Sequence, residues 1–158
     1  MLISDKFKNP LEFASQYRNN NPFPHIIFDD FIKKDFLDSV LAEFPDLSII
    51  KNKVQFENQK EIKFASKGSF DLSPTANILV NFLNSDIFLE YLQKLTEIKE
   101  TLISDPYLSG GGYHEIKRGG VLKVHADYNK HPKLDLDRRV NLLLYLNKDW
   151  LSAWGGNL

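Results

Sequence analysis

The sequence predicts an α+β protein with a mainly β core, helices first and strands second. Three observations carry this. Runs with apolar residues at helical spacing all fall before about residue 104. At about Asp105 the texture changes to SDPYLSGGGYHEIKRGG, rich in glycine and turn formers. Beyond it, RRVNLLLYLN alternates with period two. The chain of 158 residues is long enough for one domain with a real core, so the helices are expected to cover a sheet or barrel that begins near residue 105.

In chain order, FPHIIFDDF from Phe23 to Phe31 reads as a short buried strand running into a turn. IKKDFLDSVLAEF follows with Phe36, Leu37, Val40, Leu41 and Phe44 at helical spacing; Asp30 is the candidate cap and Pro45 the stop. Ser48 to Leu72 is polar and mixed, with a short strand expected at Lys53–Phe56. Ser73-Pro74 opens a helix with proline at its first position, continued by TANILVNFLNS. A further helix starts at Ser85-Asp86, with Phe88, Leu92 and Leu95 on one face and Tyr91 beside it. VLKVHAD then reads as a strand, YNKHPKLDLD as a polar loop, and RRVNLLLYLN as the strongest strand signal. One face of that last run carries Val140, Leu142, Leu144 and Leu146; the other carries Arg139, Asn141, Leu143, Tyr145 and Asn147.

Composition narrows the function classes. A net charge of about −1 gives no reason to expect nucleic acid or an acidic membrane surface as partner. No apolar run reaches the ~18 residues of a membrane span, and MLISDKFKNP lacks the features of a secretory signal. Cysteine is absent, which removes disulfides, zinc–thiolate sites, iron–sulfur clusters and thiol catalysis. That fits a reducing compartment, and the expected location is the cytoplasm. Any metal must be held by His, Asp and Glu, the ligands of non-haem iron, manganese or zinc.

His125 and Asp127 are the candidates. On a strand they point the same way, and an imidazole with a carboxylate suits iron(II) with positions left open. The plainer reading is a strand-end histidine hydrogen-bonded to its neighbour. His25, after proline, and His131, before it, read as ordinary surface histidines.

GGGYHEIKRGGVLKVHADYN, followed by RRVNLLLYLNKDW and then Gly-Gly, resembles the iron(II)/2-oxoglutarate-dependent oxygenases, in particular their prolyl 4-hydroxylase-like branch. The resemblance runs from Asp105 to Leu158. It implies one oxygenase domain over residues 1–158, with 1–104 as a helical and mixed support and 105–158 as the first part of a double-stranded β-helix, or jelly roll. It implies Fe(II), 2-oxoglutarate and O2, and admits ascorbate as reductant. His125 and Asp127 match iron ligands; Tyr145 matches a tyrosine that hydrogen-bonds the far carboxylate of 2-oxoglutarate; Arg138 matches an arginine that contacts substrate. Asn141, on the face of Tyr145, and His114, on the preceding strand, are further pocket candidates, with Tyr113 facing the other way. No side chain is assigned as a catalytic acid or base, since the cofactor carries that chemistry.

The sequence departs from the family where the resemblance expects a distal histidine and, about ten residues later, a lysine or arginine for 2-oxoglutarate. WGGNL stands at the end of the sequence instead. The expectation is a C-terminally truncated, inactive piece of an oxygenase, with an incomplete barrel whose exposed edges favour self-association. His114 or His131 as third ligand is a weaker option. The substrate is expected to be a small molecule or a peptide, the Tyr128–Asp137 loop a candidate lid. A cupin-like module that binds a sugar or small acid without turnover is the competing function.

Overall fold

The computed structural model describes residues 2–58, 61–131 and 133–156. Pro132 of the candidate lid and Asn157-Leu158 of the WGGNL end lie outside them. The chain divides into two units, Met1–His125 and Ala126–Leu158.

The first unit begins with a single 3₁₀ turn, Asp5–Phe7, and helix α1, Leu11–Asn19. Sequence periodicity misses α1 because its apolar face is sparse, and Leu11 itself is exposed. Its start is nonetheless chemically marked. The side-chain carbonyl of Asn9 accepts from the Leu11 amide, and its NH2 donates to Glu12. Phe23–Phe31 is not a strand. Its rings serve packing instead: Phe28 and Phe31 stack on each other at 5.2 Å and on Phe7 at 4.7 and 5.5 Å. Its end is tied to the N-terminal segment by the Ser4 amide donating to the Phe31 carbonyl at 2.8 Å and by an isolated bridge, Ile3 to Ile32, rather than by a ladder. Alternating apolar residues permit a ladder without providing its hydrogen-bonded neighbour.

Helix α2 spans Lys34–Ala42, shorter than its apolar pattern. Asp30 does not cap it; Lys33 occupies the cap position, and Asp30 sits at φ 59° with its carbonyl accepting from Ser4 Oγ. Beyond α2, Glu43 accepts from the Thr75 amide at 2.9 Å and the Thr75 hydroxyl at 2.6 Å, bonds that hold its carboxyl below the usual range. Those bonds reach the first turn of helix α3, Pro74–Leu83, whose start is as expected: Ser73 Oγ accepts from the Ala76 amide and Pro74 follows. Helix α4, Asp86–Thr96, is capped by Ser85. It buries Phe88, Tyr91 and Leu95, with Leu92 at the margin, so Tyr91 lies within the apolar face rather than beside it. α1 packs on α4, and α3 packs on both α2 and α4. Phe88, Ile3, Ile32, Leu47 and Val40 are the most deeply buried large side chains. Each contributes roughly 1.5–3 kcal/mol of burial.

The sheet is antiparallel. Strand β1, Val54–Glu57, begins one residue later than expected, and β2, Glu61–Ala65, is the central strand. On the other side of β2 lie β3, His114–Glu115, and β4, Val121–Leu122. These two continue one strand line. His114 opposes Ala65 and Val121 opposes Ile62, so seven steps on one side face three on the other and four residues are looped out. Gly120 closes this loop because an added Cβ would lie 2.7 Å from the Ile62 carbonyl oxygen. Gly112 is constrained more tightly. It has φ +123°, and a Cβ there would meet Ser66 Oγ at 2.5 Å and the Gly68 carbonyl at 2.9 Å. Next to it, Tyr113 exchanges bonds with buried Ser66, amide to Oγ at 2.8 Å and carbonyl from the Ser66 amide at 2.9 Å. The Tyr113 ring packs on Phe44 at 4.5 Å.

The second unit contains a 3₁₀ turn, Ser152–Trp154, and no α-helix or multi-residue strand among its described residues. RRVNLLLYLN, the strongest strand signal, forms no strand. The expected alternation is not reflected in burial: Val140 and Leu146 are half-buried, but Leu142 and Leu144 of the same face are exposed, as are Arg139, Asn141, Leu143 and Tyr145. Pattern sets the side a residue would face; a strand also needs a paired backbone. No barrel closes among the described residues, and no helix among them is long and apolar enough to cross a membrane.

Candidate metal site

His125 lies just beyond β4, exposed. Its Nδ1 stands 2.7 Å from the Lys123 carbonyl oxygen. A carbonyl only accepts, so Nδ1 carries the proton and the lone pair of the neutral ring sits on Nε2. This is the tautomer of a ligating imidazole, its second nitrogen donated to a backbone carbonyl. Glu61 on β2 is held below the usual carboxylate range, chiefly by its hydrogen bond to Lys63.

In the second unit the loop after Asp127 is a hairpin. The Arg138 amide donates to the Asn129 carbonyl at 2.7 Å, Lys130 bridges Asp137, and the His131 amide donates to the Leu136 carbonyl at 2.9 Å. The His131 ring accepts from the Lys133 and Leu134 amides, which makes it a turn residue. This hairpin folds the chain back so that Asp127 meets the start of RRVNLLLYLN. Asn141 Nδ2 donates to Asp127 Oδ2 at 2.8 Å, and Arg138 reaches the same oxygen at 3.5 Å. Arg138 also donates to Asn141 Oδ1 at 2.9 Å and lies over the Tyr128 ring at 4.7 Å. Asp127, Tyr128, Arg138 and Asn141 line a shallow cleft of about 240 Å³, with Asn129 and Val140.

Of the residues singled out in the sequence, Asp127, Arg138 and Asn141 are thus brought together. Tyr145 lies outside that cleft, 56% exposed. His114 is exposed on β3 while Tyr113 is buried, as strand alternation requires. Sequence reasoning missed Tyr128. Its signal is the pairing of like-spaced residues about a turn, Lys130 with Asp137 and Tyr128 with Arg138, which marks a hairpin rather than an open loop.

The donor chemistry fits divalent iron: one neutral nitrogen and one carboxylate oxygen. Covalent geometry keeps the Cα atoms of residues two apart within roughly 7 Å. Among the described residues no group of three or more His, Cys, Asp or Glu gathers to hold a metal.

Comparison with known proteins bears on this segment directly. Residues 111–158 match the 2OG-Fe(II) oxygenase superfamily, a stretch that contains His114, His125, Asp127, Arg138, Asn141 and Tyr145. This part of the chain is similar to an oxygenase domain of that superfamily, which implies Fe(II), 2-oxoglutarate and O2. No curated protein and no solved structure matches the chain.

Proposed function

We propose that the chain carries metal-binding residues of an iron(II)- and 2-oxoglutarate-dependent dioxygenase that hydroxylates an unactivated C–H bond, in a peptidyl proline, a free amino acid or another small molecule. The prolyl 4-hydroxylase-like branch and a jelly-roll core belong to the same reading. The observation that carries it is the similarity of residues 111–158, a stretch that includes His125 and Asp127, to the superfamily. When bound, iron with 2-oxoglutarate and O2 supplies oxidative decarboxylation and C–H hydroxylation.

This chain's own residues bind and orient. His125 gives a neutral nitrogen held by the Lys123 carbonyl. Asp127 supplies the anionic oxygen. By the resemblance, the Tyr145 phenol would donate to the far carboxylate of 2-oxoglutarate, His114 would contact 2-oxoglutarate or substrate, and Arg138 would contact substrate.

Anaerobic titration with iron(II) and 2-oxoglutarate tests this reading. A weak visible charge-transfer band is expected, lost in His125→Ala and in Asp127→Ala. A band that persists in both variants, or none in the wild type, overturns it. A band unaltered in Tyr145→Phe, with unchanged 2-oxoglutarate affinity, removes Tyr145 from the site.

A further inference from the structure

We infer that Asn141 is a positioning residue for the Asp127 carboxylate, with its own amide orientation set by Arg138. This rests on the metal-site reading above. Arginine has only donors, so the Asn141 atom 2.9 Å from its guanidinium is the carbonyl oxygen. The amide NH2 is thereby turned to Asp127 Oδ2, 2.8 Å away. A reversed amide would put donor against donor and oxygen against oxygen.

Arg138 is anchored in turn. Its backbone amide is bonded to Asn129 at the hairpin base, its guanidinium rests on the Tyr128 ring, and it is one of the less exposed side chains of its unit, 25% accessible. The relay therefore runs from aromatic face to guanidinium to amide to carboxylate. It bears on the plane of the Asp127 carboxylate through neutral Asn141 as well as through charge. The two members act on a metal with different signs. Asn141 orients without adding charge. Arg138 orients but also neutralises the carboxylate and opposes a cation. This assigns Asn141 and Arg138 roles in holding a ligand, beyond the pocket-lining and substrate contacts of the resemblance.

The test is a titration of the full chain with Co(II) alone, read by its visible ligand-field bands, for wild type, His125→Ala, Asn141→Leu and Arg138→Lys. Asn141→Leu is expected to weaken Co(II) binding by about tenfold, the lower end for a lost partner of a ligand. At saturation it also shifts the bands, which a mere loss of hairpin stability would not do. Arg138→Lys keeps the charge but loses the planar fork, so a smaller band shift is expected. Wild-type Co(II) binding insensitive to His125→Ala overturns the metal site and this inference with it. Binding that depends on His125 but has the same affinity, within about twofold, and the same bands in Asn141→Leu overturns the positioning role alone. Should Asn141→Leu not fold, unchanged bands in Arg138→Lys overturn it equally.

Discussion

The two units are held by different physics. Met1–His125 has a dry core in which Phe88, Ile3 and Leu47 are almost wholly excluded from water. Ala126–Leu158 has no buried residue among those described, and its order comes from hairpin bonds, a guanidinium on a ring and an edge-to-face Trp150–Trp154 pair. Burial gives the first unit its free energy; polar contacts, each worth about 1 kcal/mol or less, give the second its local shape. The candidate chemistry straddles this contrast in sequence. His125 closes the apolar unit and Asp127 opens the polar one.

The largest expected effect tests the first half of that contrast. Phe88→Ala should destabilise the helical unit by about 3–5 kcal/mol. Phe88 is 1% exposed and touches Phe31, Phe82 and Tyr91, so no neighbour can collapse cheaply into the space. Every described α-helix lies in this unit, so thermal melting followed by helical circular dichroism reads it specifically. A loss below about 1 kcal/mol would mean the core is not where stability resides.

Gly112→Ala comes next. The alanine would be forced to a positive φ and its Cβ into Ser66 Oγ, at the point where Tyr113 crosses to β2. A loss of roughly 1–3 kcal/mol in chemical denaturation is expected. Gly119→Ala in the same stretch sits at φ +82° but meets nothing within 4 Å, and so should cost less.

These two positions also show what the sequence made legible. Elements whose signal is local and chemical were readable: Ser73-Pro74 and Ser85-Asp86 are caps because side-chain oxygens reach backbone amides within one turn. Elements that depend on a distant partner were not. β2, EIKFA, alternates over too few residues to stand out, and it is a strand because β1, β3 and β4 bond to it. RRVNLLLYLN has the pattern, but among the described residues no strand pairs with it. Gly112 read as a turn former, yet its constraint is the close approach of Ser66 from β2. At the site, His125 and Asp127 could be named from spacing, Arg138 from the resemblance, and Asn141 from the face it shares with Tyr145. The link from Arg138 through Asn141 to Asp127 could not, since it follows from a hairpin whose register is fixed by backbone bonds.

Tyr91→Phe should have the opposite sign. The Tyr91 hydroxyl is buried with no hydrogen-bond partner, and burial pushes its pKa up to about 12. Removing it is expected to stabilise by about 1 kcal/mol, seen as a rise of a few degrees in melting temperature. The pH dependence follows from the raised value. In the unfolded chain the phenol ionises near 10 and in the folded chain only near 12. Its contribution is unchanged below pH ~10 and falls as pH rises from there towards 12, because only the unfolded state releases the proton. The phenylalanine variant should lack that part of the alkaline loss. A variant that melts lower at neutral pH would show that the hydroxyl is satisfied after all.

The smallest effect sharpens the other half of the comparison. In the hairpin, Lys130 lies 3.2 Å from Asp137 and 3.5 Å from Asp135, all largely exposed. Exposed pairs of this kind contribute about 0–1 kcal/mol and weaken with salt. The backbone bonds from the Arg138 and His131 amides hold the same register without charge. Lys130→Met should therefore change the exchange rates of those two amides by no more than about fivefold, the equivalent of 1 kcal/mol, and added salt should change them little in the wild type. Exchange accelerated far beyond that at both amides would mean charge, rather than the backbone, fixes the register that sets Asp127 against Asn141. The metal affinity of the wild type would then fall with ionic strength in step with the hairpin.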